Sequence, residues 1–405
     1  MFEPQTSIPN GKYPSLTRRN MTAPWACRAF QSTISNPTKR PFVRRDLAAI
    51  YDVTDKKFAL SCEPRVLTAV ETLEGTPALS ELTSYWYDTG PRVIFDKAVE
   101  MDINVKAPNS TRNFTILLKR EGSGNLWHSL MEILSLTMTI DVLRITRGLV
   151  GGEPLFDLGD EENTQIVILD DHDNGPYFDL WSLFAKRPVV RWKDVSESTK
   201  VENIIIPLAG GGNPYWQGDW EINQCERSPL LHTFAHRVLD LYNIKAWAPH
   251  EGDIVLTFID RKKTRRLIDN QSLLDELKTK VPHLKIQIID FGSISFEQQL
   301  RTIRQTDILV GVHGAGLTHG MFLREGSVMV EILPENMNHK GFRNLAGLMG
   351  NMYLSAHASK TPEDEGNDTD WHEADVFLNK ERFLGLMEVA VKALYNAGFR
   401  NYDTI

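Results

Sequence analysis

Residues 307–334 read DILVGVHGAGLTHGMFLREGSVMVEILP, and their pattern decides the fold. The apolar run 308–312 is short and β-branched, which predicts a strand buried on both faces. The run stops at a glycine loop, residues 313–318 (HGAGLT), and after a short helix residues 327–333 predict a second buried strand. Strand, loop, helix and strand in this order form a parallel α/β unit, and ligands of such sheets bind at the carboxyl ends of the strands.

The composition of the glycine loop favours an anion. Gly314 and Gly316 allow backbone conformations that a Cβ would forbid, and N–H groups at a helix start suit a phosphate. Glu331, late in the second strand, suits a pair of hydroxyl groups. A glycine loop can also simply turn the chain. Two histidines, His313 and His319, and Glu331 converge on this one, which favours a binding site.

Length and composition predict a soluble, two-domain protein. The chain has 405 residues, of which 41% are hydrophobic and 24% charged, and its net charge is −8. An acidic balance argues against a nucleic-acid partner, which normally requires a basic face. No run of eighteen apolar residues occurs, and the N-terminal stretch is polar and contains prolines, so we expect neither a membrane span nor a signal peptide in this chain.

Two successive α/β patterns predict two domains facing each other across a cleft, an arrangement that favours an enzyme over a scaffold. The predicted strands are 114–119, 165–170 and 203–207 in the first half, and 253–259, 284–290, 308–312 and 327–333 in the second. The predicted division is an N-terminal extension (1–80), an N-terminal Rossmann-like domain (81–245), a C-terminal Rossmann-like domain (246–378) and a terminal helix with its tail (379–405).

Several catalytic signatures are absent from the sequence. Cys27, Cys62 and Cys225 are too scattered for a zinc site. No Gly-x-Ser-x-Gly elbow, Walker loop or dinucleotide fingerprint occurs, which disfavours acyl transfer and NAD chemistry.

A basic turn, residues 261–266 (RKKTRR), follows a predicted strand end. A guanidinium fork there can grip a diphosphate, and Arg261 and Arg265 are the leading candidates. Arg301 lies in the helix before the glycine loop and is a further candidate for supporting the phosphate or the loop. The alternatives are a solvated turn and, for Arg301, a surface salt bridge.

An acidic loop, residues 170–173 (DDHD), follows another predicted strand and permits two functional interpretations. Asp171 and Asp173 resemble a carboxylate pair that holds a divalent metal under a nucleotide diphosphate. Alternatively Asp170, Asp171, Asp173 or His172 acts as a general base. A plain acidic loop is the third possibility.

His128 and Glu132 are one turn apart on the long predicted helix 126–147, so they share a face and can meet a ligand. His128 is therefore a further candidate for the base. A histidine beside Trp127 can equally be a packed core residue.

Residues 310–319 (VGVHGAGLTH), with 322–323 and 330–332, resemble the signature of glycosyltransferase family 61. Within it the resemblance is closest to the EGF-domain-specific O-linked N-acetylglucosamine transferases. Residues 225–244, 261–270 and 296–307 support the likeness, which covers about 114–371.

The resemblance implies an α/β fold of the GT-B type, with a UDP-sugar held mainly by the C-terminal domain and the terminal helix crossing back onto the first domain. It also implies inverting transfer without an essential metal or other cofactor. By carry-over, the glycine loop (His313, Gly314, Ala315, Gly316, Leu317 and Thr318) lines the diphosphate. Glu331 is placed near the ribose, Arg261, Arg265 and Arg301 support the phosphate or the loop, and Asp170 to Asp173 fall loosely where relatives carry an acidic motif needed for activity.

The implied reaction is transfer of N-acetylglucosamine from UDP-GlcNAc to a hydroxyl of a glycoprotein or glycan, in the lumen of the endoplasmic reticulum or Golgi. A UDP-xylose-dependent β-1,2-xylosyltransferase and a non-catalytic sugar-nucleotide or glycan-binding module are the alternatives. The chain ends without the KDEL-type signal of retained relatives, so compartment and acceptor stay open.

Overall fold

Two all-parallel sheets, one in each half of the chain, organise the fold. The computed structural model describes residues 48–60, 66–73, 78–82, 84–102, 104, 112–147, 152–199, 201–245, 252–360 and 371–396. Most of the predicted extension, Cys27 and Cys62, most of the predicted linker 247–252 and the tail after 396 lie outside these residues.

The strands are β1 (Ala48–Asp52), β2 (Lys57–Leu60), β3 (Val99–Met101), β4 (Phe114–Leu118), β5 (Thr164–Ile168), β6 (Val190–Arg191), β7 (Val201–Glu202), β8 (Ile204–Ile205), β9 (Ile254–Ile259), β10 (Leu284–Ile289), β11 (Ile308–Val312), β12 (Val328–Leu333), β13 (Met352–His357), β14 (Ser359–Lys360) and β15 (Val376–Phe377). The α-helices are α1 (Ala69–Leu73), α2 (Pro91–Ala98), α3 (Leu126–Ile145), α4 (Pro214–Gln217), α5 (Pro229–Leu241), α6 (Asn270–Lys280), α7 (Phe296–Arg304), α8 (Gly341–Leu348) and α9 (Lys380–Asn396). The predicted α/β class and the predicted parallel strands are confirmed.

The sheet of the second half has the strand order β10-β9-β11-β12-β13, with every neighbouring pair parallel. Strands β9, β11 and β12 are buried along their whole length, as their unbroken apolar sequences predict. The chain order reverses between β9 and β11, because β10 lies on one side and β12 and β13 on the other. Such a reversal opens a crevice at the carboxyl ends of the two central strands, where ligands of doubly wound sheets bind.

The sheet of the first half has the order β6-β5-β4-β8 and is also parallel. Here the order reverses between β4 and β8. The segments that follow these two strands therefore meet at a second crevice.

A third, mixed sheet with the order β3-β2-β1-β7 includes the hairpin of β1 and β2. This hairpin lies within the predicted N-terminal extension and was not expected from the sequence. Its strands are short and neither shows a long alternation of apolar and polar residues, so the packing partners β3 and β7 determine its structure. The same predicted extension contains the short helix α1.

One apolar core spans both halves of the chain. Its members come from β4, α3 and α5 in the first half and from α7, the 3-10 helix Ala315–Phe322 and α8 in the second. Within the residues that the structure describes, α3 is the one helix long and apolar enough to cross a membrane, and 67% of its most apolar window is buried in the protein. It is therefore the central helix of the core, as its amphipathic pattern predicts for the first half.

The C-terminal helix α9 corrects the expectation that it crosses back onto the first domain. It packs on α6, β12 and β13 of the second half. Phe383, Met387 and Leu394 join the core of that sheet, and Lys380 pairs with Glu276 of α6 at 2.6 Å. The apolar face of α9 is buried against the sheet of the second half, which precedes the helix in sequence. The helix therefore does not need to cross to the first half to bury this face.

Candidate functional site

The crevice of the second sheet lies between the ends of β9 and β11. Asp260 separates Arg261 from the end of β9, and His313 follows β11 directly. The reversal of strand order between these two strands thus brings the basic turn 261–266 and the glycine loop 313–318 to one edge of the sheet. The sequence predicts both segments as ligand-binding, and the topology explains how residues more than fifty positions apart meet.

Gly314 is the point where the two segments come closest. Its φ of +153° is a backbone conformation that L side chains rarely adopt. A Cβ at this position would overlap Nη1 of Arg261 and would lie 3.4 Å from Nη2 of Arg265. Because Gly314 has no side chain, both guanidinium groups can approach the backbone of the loop. Two positive charges therefore lie beside the peptide groups of the loop.

The two arginines are held by their surroundings. Arg261 donates from Nε to the carbonyl of Thr264 at 2.8 Å, and burial lowers the pKa of its guanidinium. The guanidinium of Arg265 lies 5.5 Å from the ring centroid of Trp371, a cation–π contact. Both groups are fixed before any ligand arrives, which favours an anion such as a diphosphate.

The remaining residues of the loop divide into two kinds. Ala315 and Gly316 are partly exposed, whereas Leu317 and Thr318 are fully buried. A Cβ on Gly316 would lie 3.0 Å from Cγ2 of Ile259, so this glycine allows the loop to pack against β9. Leu317 and Thr318 therefore hold the loop in the core, and Ala315 and Gly316 form the surface that a ligand meets.

His313 and Glu331 form a buried pair behind the loop. Nδ1 of His313 lies 2.5 Å from Oε1 of Glu331, and the hydroxyl of Tyr353 donates to Oε2 at 2.5 Å. Glu331 is fully buried, and His313 is 6% exposed. Both carboxylate oxygens are used inside the protein, an arrangement that orients the His313 ring and leaves its Nε2 for a ligand. The predicted contact of Glu331 with a ribose stays a prediction.

His319 has a structural role in the same region. Its Nδ1 lies 2.7 Å from the Gly316 carbonyl and its Nε2 lies 2.8 Å from Oε1 of Gln299, while its ring packs on Phe291. Complete burial lowers the pKa of His319 to about 4, so the ring is neutral at neutral pH. It connects the loop to α7 and takes no part in the exposed surface.

The structure does not bring Arg301 into the site. Its guanidinium pairs with Glu297 at 2.8 Å on the exposed side of α7 and donates to the carbonyl of Tyr242. This is the surface salt bridge that the sequence left as the alternative. Arg304, three residues later, faces inward instead and donates from Nη1 to the carbonyl of Phe322 at 2.9 Å.

The crevice of the first sheet contains a histidine and a carboxylate. Glu121 follows β4 closely, and the 3-10 helix Gly210–Gly212 follows β8. Oε1 of Glu121 accepts the Gly211 N–H at 3.0 Å, and Oε2 lies 3.2 Å from Nδ1 of His128. The sequence predicts His128 as a site residue but does not single out Glu121. The position of Glu121 just after a buried strand is the signal that could have identified it.

Glu132 supports this arrangement from the next turn of α3. Its Oε1 accepts the backbone N–H of Glu121 at 2.5 Å, and its side chain packs against Gly210, where a Cβ would lie 2.8 Å from its Cγ. Burial raises the pKa of Glu132 well above its ordinary value, and the charge of Glu121 raises it further. Glu132 therefore fixes the Glu121 backbone, and its burial favours the protonated form of its carboxyl.

The acidic loop 170–173 is built around Arg120. Asp170 forms a buried ion pair with Arg120 at 2.8 Å, and Arg120 also donates to the carbonyls of His172 and Asp173. The side chains of Asp171 and Asp173 are exposed. No group of three or more His, Cys, Asp or Glu residues is placed to hold a metal ion in the part of the chain that the structure describes.

Aromatic side chains connect the two crevices. The ring of Trp127, adjacent to His128, lies 5.8 Å from that of Phe342 in α8, and Phe342 lies 5.3 Å from His313. On the same side, Nε2 of His339 lies 3.1 Å from Oδ2 of Asp219. The two candidate sites thus open on neighbouring parts of one interface between the halves of the chain.

Known proteins resemble this chain in sequence. The model of the family described as Glycosyltransferase 61 matches residues 126–330, just over half of the chain. Three curated proteins called EGF domain-specific O-linked N-acetylglucosamine transferase are similar to it. The chimpanzee protein is 34% identical over 50% of this chain and 40% of its own length. The Drosophila protein is 26% identical over 69% and 51%, and the rat protein 27% identical over 69% and 50%, respectively. The chain spans about half, or less, of the length of these relatives.

Proposed function

The chain belongs to glycosyltransferase family 61, and from this premise we propose that it transfers a sugar from a UDP-sugar donor to a hydroxyl group of a glycoprotein or glycan. The observation that carries the proposal is the convergence of Arg261 and Arg265 on Gly314. It supplies two cations and a side-chain-free backbone at the crevice of a doubly wound sheet, which is the environment a nucleotide diphosphate requires.

The proposed architecture is of the GT-B type, with the donor on the second half and the acceptor on the first. In support of it, both halves contain a parallel sheet whose strand order reverses, and both crevices open on the shared interface. The residues proposed to hold the donor are His313, Gly314, Ala315 and Gly316 of the loop, with Arg261 and Arg265 opposite.

The proposed reaction inverts the configuration of the sugar in one displacement. The acceptor oxygen forms a bond to the anomeric carbon while the bond from that carbon to the UDP oxygen breaks, and the electron pair leaves with the diphosphate. Arg261, Arg265 and the loop N–H groups stabilise the charge that develops on the diphosphate. We therefore propose that no divalent metal or other cofactor is essential, because these groups supply the electrostatic stabilisation that a metal would give.

A chelation experiment tests the metal proposal. Turnover is expected to be unchanged after treatment with EDTA and dialysis. The proposal would be overturned if EDTA abolished turnover, Mn²⁺ restored it, and Asp171→Asn or Asp173→Asn prevented the restoration. The acidic loop would then be assigned as a metal site.

N-acetylglucosamine is proposed as the transferred sugar and an EGF domain as the acceptor, because the names of the similar proteins state both. The test is a panel of UDP-GlcNAc, UDP-xylose, UDP-glucose and UDP-galactose, measured for protection against heat and for transfer to a folded EGF domain. The expected result is protection and transfer with UDP-GlcNAc. Preference for UDP-xylose would assign the chain to the xylosyl-transferring members, and binding without turnover of any donor would assign it as a binding module.

We propose the lumen of the secretory pathway as the compartment. Cys225 is disulfide-bonded, and disulfides persist in oxidising compartments. An acceptor that is an EGF domain would be found in the same compartment. Expression of the full chain with a secretion signal should give active protein that non-reducing electrophoresis shows to be disulfide-linked. Activity unaffected by reduction and by Cys225→Ser would remove this support.

A further inference from the structure

We propose that His128 is the general base of the transfer and that Glu121 is the residue that positions it. The inference rests on the proposed function and identifies the group that accepts the proton. It also selects among the residues that the sequence offered as base candidates, and it adds Glu121, which the sequence did not offer.

The surroundings of Glu121 leave one of its two carboxylate oxygens without a hydrogen bond. Oε1 accepts hydrogen bonds from Gly211 N–H at 3.0 Å and from the Thr89 hydroxyl at 3.3 Å. The backbone of the residue is fixed by Glu132. Oε2 is buried without a hydrogen-bond partner among the described residues, and it lies 3.2 Å from Nδ1 of His128. A buried carboxylate oxygen without a hydrogen bond costs free energy, and we infer that the His128 ring, whose Nδ1 is already at ion-pair distance, turns its N–H towards Oε2 in the acting enzyme.

His128 is placed to use this contact. Its ring is packed against Trp216, with centroids 4.4 Å apart, and meets the exposed Tyr87 at 6.0 Å. Its side chain is 21% exposed, so part of the ring is accessible from solvent. In the proposed arrangement Nδ1 carries the proton that faces Glu121, and Nε2 is the nitrogen that accepts a proton from an acceptor hydroxyl.

The three aspartates are less suited to this role. Both oxygens of Asp170 bind Arg120 in a pair that is almost completely buried. Asp171 and Asp173 are exposed to water, and the loop that carries them is closed around Arg120. The acidic loop is therefore a structural part of the crevice of the first sheet, and His128 lies beside Glu121 within that crevice.

The proposed step is balanced without any additional reactant. As the acceptor oxygen bonds to the anomeric carbon, its proton moves to Nε2 of His128, and the leaving electron pair remains on UDP. The imidazolium that results is stabilised by the Glu121 carboxylate and later releases its proton to solvent.

The experiment compares His128→Ala, His128→Gln and Glu121→Gln in the full chain, assayed with UDP-GlcNAc and a folded EGF domain. We expect kcat to fall by at least about 100-fold for the His128 variants, the range of general base catalysis. For Glu121→Gln, which keeps an acceptor for Gly211 but loses the charge, we expect a fall in kcat of about tenfold with little change in the donor KM. The UDP dissociation constant and the melting temperature should stay near those of the wild type.

Chemical rescue separates a base from a structural histidine. Added imidazole should restore at least about tenfold of the activity of His128→Ala, because it can enter the space left by the ring, and it should not restore Glu121→Gln. The matched controls are His283→Ala, an exposed histidine at the far end of β10, and Glu388→Gln on the outer face of α9. Both should retain wild-type activity.

The possible outcomes distinguish this inference from the proposed function. Turnover that survives in both His128 variants would overturn the base assignment and leave the glycosyltransferase function standing. Folded His128→Ala that imidazole cannot rescue would show that the histidine only supports the crevice, which also overturns the inference. Absence of turnover by the wild type with every UDP-sugar would overturn the proposed function, and the base with it.

Discussion

Nδ1 of His313 lies 2.5 Å from Oε1 of Glu331, and this pair is the buried support of the glycine loop. Burial lowers the pKa of His313, and Glu331 partly offsets the effect. The free ring is therefore neutral at neutral pH, with its proton on Nδ1. A diphosphate at the loop would place negative charge near Nε2 and favour a second proton there.

We predict that UDP binding takes up a proton at His313. The depressed pKa of the free protein rises on binding, so affinity should increase as pH falls from about 8 to about 6, by at most about tenfold per pH unit for one proton. Calorimetry in buffers of different ionisation enthalpy measures the uptake directly. His313→Gln is the control, because the ionisation of UDP is common to both proteins. Equal proton uptake by the two proteins would contradict the prediction.

Gly314 should tolerate no side chain. Gly314→Val places a Cβ on the Arg261 guanidinium in a backbone conformation unfavourable to L residues, so Arg261 must leave the loop. We expect a loss in UDP affinity of at least about tenfold, on the order of 1.4 kcal/mol, in a protein that remains folded. Gly347→Ala in α8 is the matched control, since a Cβ there meets nothing within 4 Å. Normal UDP binding by Gly314→Val would place the donor elsewhere.

The strand–loop–strand unit and the capped helices were predictable because local sequence determines them. Asn125 caps α3, and Ser295 with Gln298 forms a capping box at the start of α7. These features depend on neighbours a few residues apart, which a sequence displays directly. Strand positions agree with the prediction within two residues because unbroken apolar runs seldom have another interpretation in a parallel sheet.

The errors arose where the partner is distant in sequence. Arg301 and Arg304 lie on the same helix, and only tertiary packing decides that Arg304 faces the core and Arg301 faces water. The direction of α9 likewise depends on which of two apolar surfaces it meets. Glu121 gains its importance from Gly211, ninety residues later, and no local pattern reports that contact. The segments that meet at the candidate site were thus predictable from the sequence, and the contacts between their side chains were not.

The arginines of the site can be separated by mutation. Arg261→Gln and Arg265→Gln should each weaken UDP binding by at least about tenfold, the order expected for a lost charge-assisted hydrogen bond. Arg301→Gln removes an exposed pair with Glu297, worth about 0.5 kcal/mol or less, and a hydrogen bond to the Tyr242 carbonyl, and it should change the UDP dissociation constant less than twofold. Calorimetric titration of the three variants checks this. A tenfold loss in Arg301→Gln would restore the role that the sequence suggested for it.

The last prediction concerns Glu132, whose pKa burial raises well above the ordinary value of 4.5. The native state holds this proton more tightly than the unfolded state. Its contribution to stability is therefore fully present below pH 4.5 and is lost as pH rises towards the folded pKa, at no more than about 1.4 kcal/mol per pH unit. Glu132→Gln has nearly the shape of the neutral acid, and it keeps the oxygen that accepts the Glu121 N–H.

The free energy of unfolding of Glu132→Gln should thus equal that of the wild type near pH 4.5 and exceed it increasingly up to pH 8, as measured by urea denaturation at a series of pH values. Because only the difference between the two proteins is used, the titration of every other group cancels to first order. Glu388→Gln, which alters a partly exposed carboxylate, should show no such divergence. A gap that stays constant with pH would mean that Glu132 is ionised in the folded protein, and that Glu121 then shares its crevice with a second negative charge.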